Sequence, residues 1–320
     1  LELSWPTHRQ IVYGQHLGYG AANQKLREAI LKSGINIRRQ GKIAVHLCRP
    51  DAFKPIKKKK NVLFTMYEGY PVPENFRKAF KRADLLLTPS NFCKEMFDPL
   101  CGEEKFKVIP LGFDSAQYAY SERRWSPGEP FIWLWVGAPN ARKGWDTVLK
   151  CWDEYFSELP WMHLFMKTTS SEGNGGVETL GNITFDSRRY TDQGLAELYS
   201  KCNAFVLPTA GEGWGLTLLE ALASGLPIVT TRHGGQMDFL NEEFARFVKF
   251  DMKKVTTREG SEFEAAIACY RDLASEMFSV VEDYSAAASM AEYGSRMAHM
   301  NFTWGKSADK LAKVLKDRFA

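Results

Sequence analysis

The residues from Thr209 to Ala221, Thr-Ala-Gly-Glu-Gly-Trp-Gly-Leu-Thr-Leu-Leu-Glu-Ala, hold the densest chemistry in the sequence. They stand between a strand-like run, Ala204 to Pro208, and a helical stretch that continues through Ala223. Gly213 and Gly215 let the backbone come close to a ligand. The start of the helix offers unpaired N–H groups at the positive end of its dipole, a natural seat for a diphosphate. Glu212 in the loop and Glu220 in the helix, with seven residues between them, would repel a phosphate. Ionised carboxylates instead accept strong hydrogen bonds from hydroxyl groups. A bare Glu-x7-Glu spacing describes only a helix cap and a solvated helix residue. Here it is set at a strand–glycine loop–helix junction and followed by Ala-Leu-Ala-Ser-Gly-Leu-Pro-Ile-Val. In that setting it describes a site for a phosphate flanked by two hydroxyl-rich groups, which is the shape of a nucleotide sugar.

Such a junction needs a parallel sheet to hold it, and the chain supplies two series of short apolar runs. In the first half these are Gln10–Gly14, Lys42–Leu47, Asn61–Thr65, Asp84–Thr88 and Val108–Pro110. A turn at Leu17-Gly18-Tyr19-Gly20 precedes a helix with Ala22, Leu26, Ala29 and Ile30 on one face, ended by Gly34. The breaker-rich stretch from about Gly112 to Pro130 reads as a linker. The pattern then restarts with strands at Phe131–Val136, His163–Lys167, Asn182–Phe185, Ala204–Pro208 and Ile228–Thr231. Helices are expected at Trp145–Phe156 and Thr191–Lys201, with a polar loop over Ser170–Gly176. From about Glu262 the sequence reads as helical to its end. Strands alternating with helices indicate βα units, so the fold class is α/β with two Rossmann-like halves in tandem. The 320 residues suffice for two domains of about 100–200 residues each.

The Thr209–Ala221 segment resembles the donor motif of the retaining glycosyltransferases of family four, Glu-Gly-Phe-Gly-x-x-x-Leu-Glu-Ala-x-Ala-x-Gly-x-Pro-Val-Val, with Trp214 at the usual Phe. The resemblance covers most of the chain. Gly137 followed by Arg142-Lys143-Gly144 is similar to the family's diphosphate clamp, and Gly234-Gly235-Gln236-Met237-Asp238 to its Gly-Gly-x-x-(Glu/Asp) turn. Pro89-Ser90-Asn91-Phe92 and Ile109-Pro110-Leu111-Gly112-Phe113-Asp114 resemble two motifs of its first half, and Phe302-Thr303-Trp304 the segment that leads back to it. The resemblance implies the GT-B fold, two Rossmann-like domains facing each other across a cleft. The expected divisions are residues 1–118 on the acceptor side, 119–301 for the nucleotide sugar, and a helix over 302–320 returning to the first domain. It implies that Glu212, Arg142 and Lys143 are the catalytic group, with Glu212 on the transferred sugar and the two cations on the diphosphate. Gly213, the N–H groups of Trp214, Gly215, Leu216 and Thr217, Glu220 for the ribose, and Asp186 near the base complete the donor site. Gly18 and Gly20 would approach the same phosphates, with His16 and Glu68 as acceptor-side candidates.

The implied reaction moves a hexosyl or pentosyl group from a UDP- or GDP-linked sugar to a hydroxyl acceptor with retained configuration. A glycan or lipid-linked sugar, or a modified DNA base, would accept it. A nucleotide-sugar epimerase or a non-catalytic nucleotide-sugar-binding protein on the same fold is the alternative. No tightly bound cofactor and no metal are expected, since the sequence has no Asp-x-Asp and its histidines are scattered. A Rossmann dinucleotide site is disfavoured because Asn23 stands where the third glycine would fall. The net charge of +4 is too weak to indicate nucleic-acid binding by itself. The run Lys57-Lys58-Lys59-Lys60 is read first as solvated, with an anionic membrane surface or DNA as its alternative partner. No apolar stretch reaches the roughly 18 residues of a membrane span. Leu1–Pro6 lacks the features of a secretory leader, and the six cysteines, without a Cys-x-x-Cys pair, suit a reducing compartment. A cytoplasmic location is therefore expected, with peripheral membrane attachment left open.

Overall fold

The computed structural model describes residues 1–6, 17–101, 105–169, 175–256 and 262–319. The expected strand Gln10–Gly14, His16 and most of the Ser170–Gly176 loop lie outside the described residues. Packing divides the chain into two compact units, Leu1–Phe113 with Asn301–Ala320, and Asp114–Met300.

The first unit is built on a six-stranded parallel sheet ordered β2-β1-β3-β4-β5-β6. Its strands are β1 (Glu2–Ser4), β2 (Asn36–Ile37), β3 (Ile43–Leu47), β4 (Lys60–Phe64), β5 (Leu85–Thr88) and β6 (Phe106–Val108). β3 and β5 are buried at every residue, which is why they read as continuous apolar runs rather than alternating ones. Helix α1 (Leu17–Lys32) buries Ala22, Leu26, Ala29 and Ile30, the face its spacing indicates. Helices α2 (Phe76–Arg82) and α3 (Asn91–Cys101) pack Phe80 and Phe97 together at 5.2 Å, and Phe97 stacks on Phe106 of β6 at 5.4 Å.

One expectation is corrected here. Gly18 and Gly20 lie in the first turn of α1 and not in a glycine loop. The cause is tertiary. Tyr19 between them is buried, its hydroxyl bonds the Met66 carbonyl at 2.5 Å, and it accepts the Met66 N–H at 2.9 Å. These contacts offset the cost of about 1 kcal/mol that each glycine imposes on a helix. Asn23 belongs to the same anchorage, donating to the Leu47 carbonyl at 3.2 Å and accepting from the Trp5 indole at 3.1 Å.

Residues 301–320 pack in this unit. The Phe113 N–H bonds the Phe302 carbonyl at 3.0 Å, and the Trp304 N–H returns to the Phe113 carbonyl at 3.2 Å. Gly112 makes this approach feasible, because a Cβ there would lie 2.3 Å from backbone atoms of Thr303 and Trp304.

The second unit has a seven-stranded sheet ordered β13-β12-β11-β7-β8-β10-β9. It comprises β7 (Phe131–Val136), β8 (Met162–Lys167), β9 (Val177–Leu180), β10 (Ile183–Asp186), β11 (Ala204–Leu207), β12 (Ile228–Thr231) and β13 (Ala245–Val248). All neighbours are parallel except the edge strand β9. Helix α4 (Trp145–Tyr155) follows β7, α5 (Asp192–Lys201) precedes β11, and α6 (Leu216–Ala223) follows it. The chain starts at the central strand β7, runs outward through β8 to β10, then returns to β11 on the other side of β7. The loops after β7 and β11 therefore leave the sheet side by side at a topological switch point, where open α/β sheets bind ligands. The breaker-rich stretch before β7 is fixed to this unit by Arg123, which is buried and donates to the carbonyls of Ser200, Cys202, Ser224 and Gly225.

The expectation of helix from Glu262 onward is also corrected. β14 (Phe250–Thr256) and β15 (Glu262–Ala268) form an antiparallel hairpin, and helices α7 (Tyr270–Glu282) and α8 (Tyr284–Asn301) come after it. The Glu-Phe-Glu-Ala-Ala-Ile-Ala sequence of β15 favours helix by local propensity. Pairing with β14 and the bond from the Ala266 N–H to the Ala210 carbonyl, 3.0 Å, override it. The last helix, α9 (Trp304–Phe319), buries Leu311 and Leu315 in the first unit.

The close approach at Gly112 gives a direct test. Gly112→Ala is expected to lower stability by about 1–3 kcal/mol through backbone overlap, measured by chemical denaturation. An unchanged midpoint would mean that the Phe113–Trp304 backbone pairing does not constrain the chain end.

Candidate active site

The two loops at the switch point are joined through their backbones before any side chain is considered. Gly137, the first residue past β7, donates its N–H to the Lys167 carbonyl at 3.0 Å. Asn140 then caps a short 3-10 turn over Ala141–Lys143, its side chain accepting the Lys143 N–H at 3.1 Å. Gly144 closes the turn at φ +67°, and a Cβ there would lie 2.2 Å from the Pro208 carbonyl oxygen. That contact presses the loop after β7 against the start of the loop after β11. The Arg142 carbonyl accepts the Ala210 N–H at 2.7 Å and the Thr209 hydroxyl at 2.9 Å.

This stitching brings three charges together. Lys143 Nζ lies 2.5 Å from Glu212 Oε1, and Arg142 Nη1 lies 3.2 Å from the same oxygen. Arg142 Nη1 also donates to the Gly211 carbonyl at 2.8 Å, and Thr209 Oγ1 stands 3.1 Å from Glu212 Oε1. Glu212 is only 5% exposed. Burial opposes its ionisation, but the charges of Lys143 and then Arg142, with their hydrogen bonds, outweigh burial and hold the carboxyl below its ordinary value. All the bonds recorded for this carboxylate, among the described residues, converge on Oε1.

Beyond Glu212 the loop turns into α6. Gly215 caps the helix in the left-handed region at φ 96°. The Leu218 and Leu219 N–H groups bond the Gly215 carbonyl at 3.1 and 3.0 Å. The N–H groups of Leu216 and Thr217 therefore precede the first bonds of the helix and face out of its end. Thr217 Oγ1 is buried without a hydrogen-bond partner among the described residues. Trp214 is buried at 1% exposure and packs on Phe239 at 5.0 Å, so its side chain serves the core and its backbone alone lines the loop. Gly235–Asp238 forms a second 3-10 turn beside this loop, with the Gly235 N–H bonding the Glu212 carbonyl at 2.6 Å.

Glu220, one helical face further on, is half-buried and accepts from the Tyr199 hydroxyl at 3.2 Å. Burial, followed by the Glu220 charge, pushes the Tyr199 and Tyr118 phenols well above their ordinary value, so both remain protonated donors beside this carboxylate. Asp186 ends β10 fully buried. Its carboxylate takes Arg188 at 2.6 Å, the Tyr190 hydroxyl at 2.8 Å and the Arg188 N–H at 2.9 Å. Burial alone would raise its pKa, and these bonds lower it instead.

In the first unit, Glu68 lies half-buried just past the C-terminal end of β4, where its charge opposes ionisation of Tyr19 and Tyr67. The lysine run lies at the opposite end of that strand and leads into its first residue, Lys60. Lys59 Nζ bonds the Arg39 carbonyl at 2.5 Å, and Lys60 lies 3.5 Å from Asp84. The structure thus gathers Arg142, Lys143, Glu212 and Gly213–Thr217 in one place, with Glu220 on the helix they cap. Lys167 and Tyr199 also shape the site, and no sequence motif points to them. Among the described residues no group of three or more His, Cys, Asp or Glu side chains is placed to hold a metal ion. No described helix is long and apolar enough to cross a membrane, and none of the six cysteines forms a disulfide. An open cavity of about 570 Å³ lies along edge strand β13, lined by Arg232, Arg246, Lys249 and Glu276 among others, and takes in none of the candidate site residues.

Two Rossmann-like units, the second carrying an Arg-Lys turn against a Gly-Glu-Gly loop, define a GT-B architecture. The chain resembles Anabaena HepE solved with UDP-glucose at a TM-score of 0.67, with 14% identity, over 99% of both chains. Residues 178–254 match the family described as glycosyl transferases group 1. It is 30% identical to the sucrose-phosphate synthase of Zea mays over 138 residues, 36% of this chain and 13% of that protein. It is 24% identical to the GDP-mannose-dependent alpha-(1-6)-phosphatidylinositol monomannoside mannosyltransferase of Mycolicibacterium smegmatis over 268 residues, 76% of this chain and 64% of that protein. The chain thus spans little more than a tenth of the plant synthases it matches, at 13% and 12%.

The ion cluster has a measurable consequence. Lys143→Met leaves Glu212 buried with one cation fewer and is expected to cost about 3 kcal/mol. The double variant Lys143→Met/Glu212→Gln, which removes the charge as well, is expected to cost less. Because Glu212 has a lowered folded pKa, its ionic contribution is complete above the unfolded value of about 4.3 and fades as pH falls through the folded value. Urea titrations should therefore show the difference between wild type and double variant constant from about pH 5 to 8 and shrinking below about pH 4. Additive losses at neutral pH would mean that the pair is not coupled.

Proposed function

We propose that this chain is a retaining glycosyltransferase that moves a hexosyl or pentosyl group from a nucleoside diphosphate sugar to a hydroxyl acceptor without a metal. The observation that carries this reading is the meeting of Arg142, Lys143 and Glu212 with the open end of α6 at the sheet's switch point. The donor's diphosphate sits on the N–H groups of Trp214 to Thr217, with Arg142 and Lys143 on its flank. The cluster of two cations and one carboxylate keeps a net positive charge there. Fixed cations and N–H dipoles neutralise the charge that develops on the departing diphosphate, the term that lowers such barriers most. Thr217 Oγ1, buried and unsatisfied by protein, supplies one further bond to a ligand. Glu220 takes the ribose hydroxyls, while the free Oε2 of Glu212 accepts a hydroxyl of the transferred sugar. The base lies against the backbone from Phe185 to Arg188, with Asp186 shaping that segment. Gly213 and Gly215 let the loop approach the phosphates.

Retention follows from front-face attack on the side where the diphosphate leaves, with the leaving phosphate helping to take the acceptor's proton. UDP and GDP are the donor nucleotides to test first, because HepE is solved with UDP-glucose and the mycobacterial relative is named for GDP-mannose. The first unit recognises the acceptor, a glycan or lipid-linked sugar before a modified DNA base, with Glu68 as its titratable candidate. Cysteines without disulfides suit a cytoplasmic site of action. Of the lysine run, Lys57 and Lys58 are the exposed cations available to an anionic membrane surface or DNA, since Lys59 and Lys60 have partners within the protein.

Thermal denaturation with UDP, GDP and their sugars, in the presence of a chelator, tests the reading. A donor at 100 times its Kd should stabilise the protein by about 2.7 kcal/mol. Glu220→Gln is expected to weaken that donor's binding, whereas Glu212→Gln is expected to lower kcat by roughly 100-fold. Full activity in both variants would place the donor elsewhere.

A further inference from the structure

Among the described residues Lys167 is the only lysine in the protein's interior, 7% exposed at the C-terminal end of β8. Its ammonium addresses three backbone carbonyls, Thr168 at 2.6 Å, Arg188 at 2.7 Å and Asp186 at 3.3 Å. Two of these belong to the end of β10 and the loop that follows it, about twenty residues away in sequence. Nζ also lies 4.8 Å from the centroid of the Tyr190 ring, on whose electron-rich face a cation is attracted. From the other side the Asp186 carboxylate holds Arg188 and Tyr190. The loop is thus closed around a cation that bonds its backbone and an anion that bonds its side chains.

The same residue touches the second half of the site. The Lys167 carbonyl accepts the Gly137 N–H, which starts the turn carrying Arg142 and Lys143. Trp145, directly after that turn, meets Trp135 at 5.2 Å and Phe185 of β10 at 5.5 Å. An ammonium is costly to bury unless its N–H groups are all used, and an apolar side chain of similar length would fill the space at no such cost. What lysine adds over an isosteric methionine is three directed donors aimed at one loop. Burial pulls its pKa down, opposed by Asp186, as the physical cost of that placement requires.

We propose that Lys167 is a positioning residue for the nucleotide: by clasping the backbone of residues 186–188 it fixes the surface that reads the base, and so sets base affinity and selectivity. This rests on the donor site proposed above. It leaves the diphosphate to Arg142, Lys143 and the end of α6, so the two functions separate.

Calorimetric titration of UDP, GDP and inorganic pyrophosphate into the wild-type chain and Lys167→Met separates them. The expected result is a loss of about tenfold in affinity for the nucleotide that the wild type prefers. The preference between UDP and GDP should narrow, while pyrophosphate affinity stays unchanged. Should Lys167→Met not fold, Lys167→Arg decides, because a planar guanidinium cannot direct three bonds from one nitrogen. The same split between nucleotide and pyrophosphate is then expected. Wild-type nucleotide affinity and selectivity in the folded variant, or an equal loss for pyrophosphate, would overturn the role of Lys167 alone. A wild-type chain that binds pyrophosphate but neither nucleotide would instead overturn the donor-site reading, and this role with it.

Discussion

A buried carboxylate shared by two neighbouring cations is the constraint around which the second unit is arranged. Glu212 can stay ionised at 5% exposure only because Lys143 and Arg142 reach it, and they reach it only if the loops after β7 and β11 run in contact. Several otherwise separate features serve that contact. Gly144 admits the Pro208 carbonyl, and the Arg142 carbonyl takes the Thr209 and Ala210 donors. The Gly235 N–H bonds the Glu212 carbonyl, and the hairpin strand β15 bonds Ala210 from outside the sheet. If any of these failed, the carboxylate would pay a desolvation cost of several kcal/mol without its compensation. The ion cluster is thus weak as a source of net stability and strong as a specification of geometry.

Topology explains why such a contact forms at this place. Loops after adjacent strands of a one-way βα progression are carried over the same face of the sheet and crowd each other. At β7 and β11 the progression reverses, and the two loops diverge from neighbouring strands with room between their outer parts. Helix α6 begins there, at the Gly215 cap. Glu212 sets a negative charge against the two cations of the neighbouring turn.

The parts of this arrangement that were legible in the sequence are those whose chemistry demands a residue type at a fixed distance along the chain. The Gly-Glu-Gly-Trp-Gly loop, the Arg-Lys-Gly turn and the Gly-Gly turn are local motifs, and each appears where its spacing indicates. Strands β3, β4, β5, β7, β8, β11 and β12 were legible for a related reason: burial on both faces writes itself as an unbroken apolar run, whereas the short or edge strands β1, β2, β9 and β13 carry no such run. Gly18 and Gly20 misled because two glycines around a tyrosine describe a turn until the distant Thr65 hydroxyl and Met66 backbone are known to anchor that tyrosine. β15 misled because alanine and glutamate favour helix unless a partner strand is in register. Lys167 could not be found at all. Its partners are carbonyl oxygens, which every residue has, so no side-chain pattern records them.

That last point bears on how such a site divides its labour. Charged groups that meet a diphosphate must be specific side chains, because only a few residue types carry positive charge. Recognition of a base through backbone atoms needs only that the backbone be held still, and the residues that hold it need not touch the ligand. Asp186 and Lys167 have that character: one satisfies the side chains of the 186–190 loop, the other its carbonyls, and neither has an obvious bond left to give. Under the proposed donor site, base preference would change with which carbonyls and N–H groups of this loop face outward, while Arg142 and Lys143 stay the same. The shared anchor is the Gly137–Lys167 backbone bond, which ties the rigid charged turn to the adjustable loop without making either depend on the other's side chains.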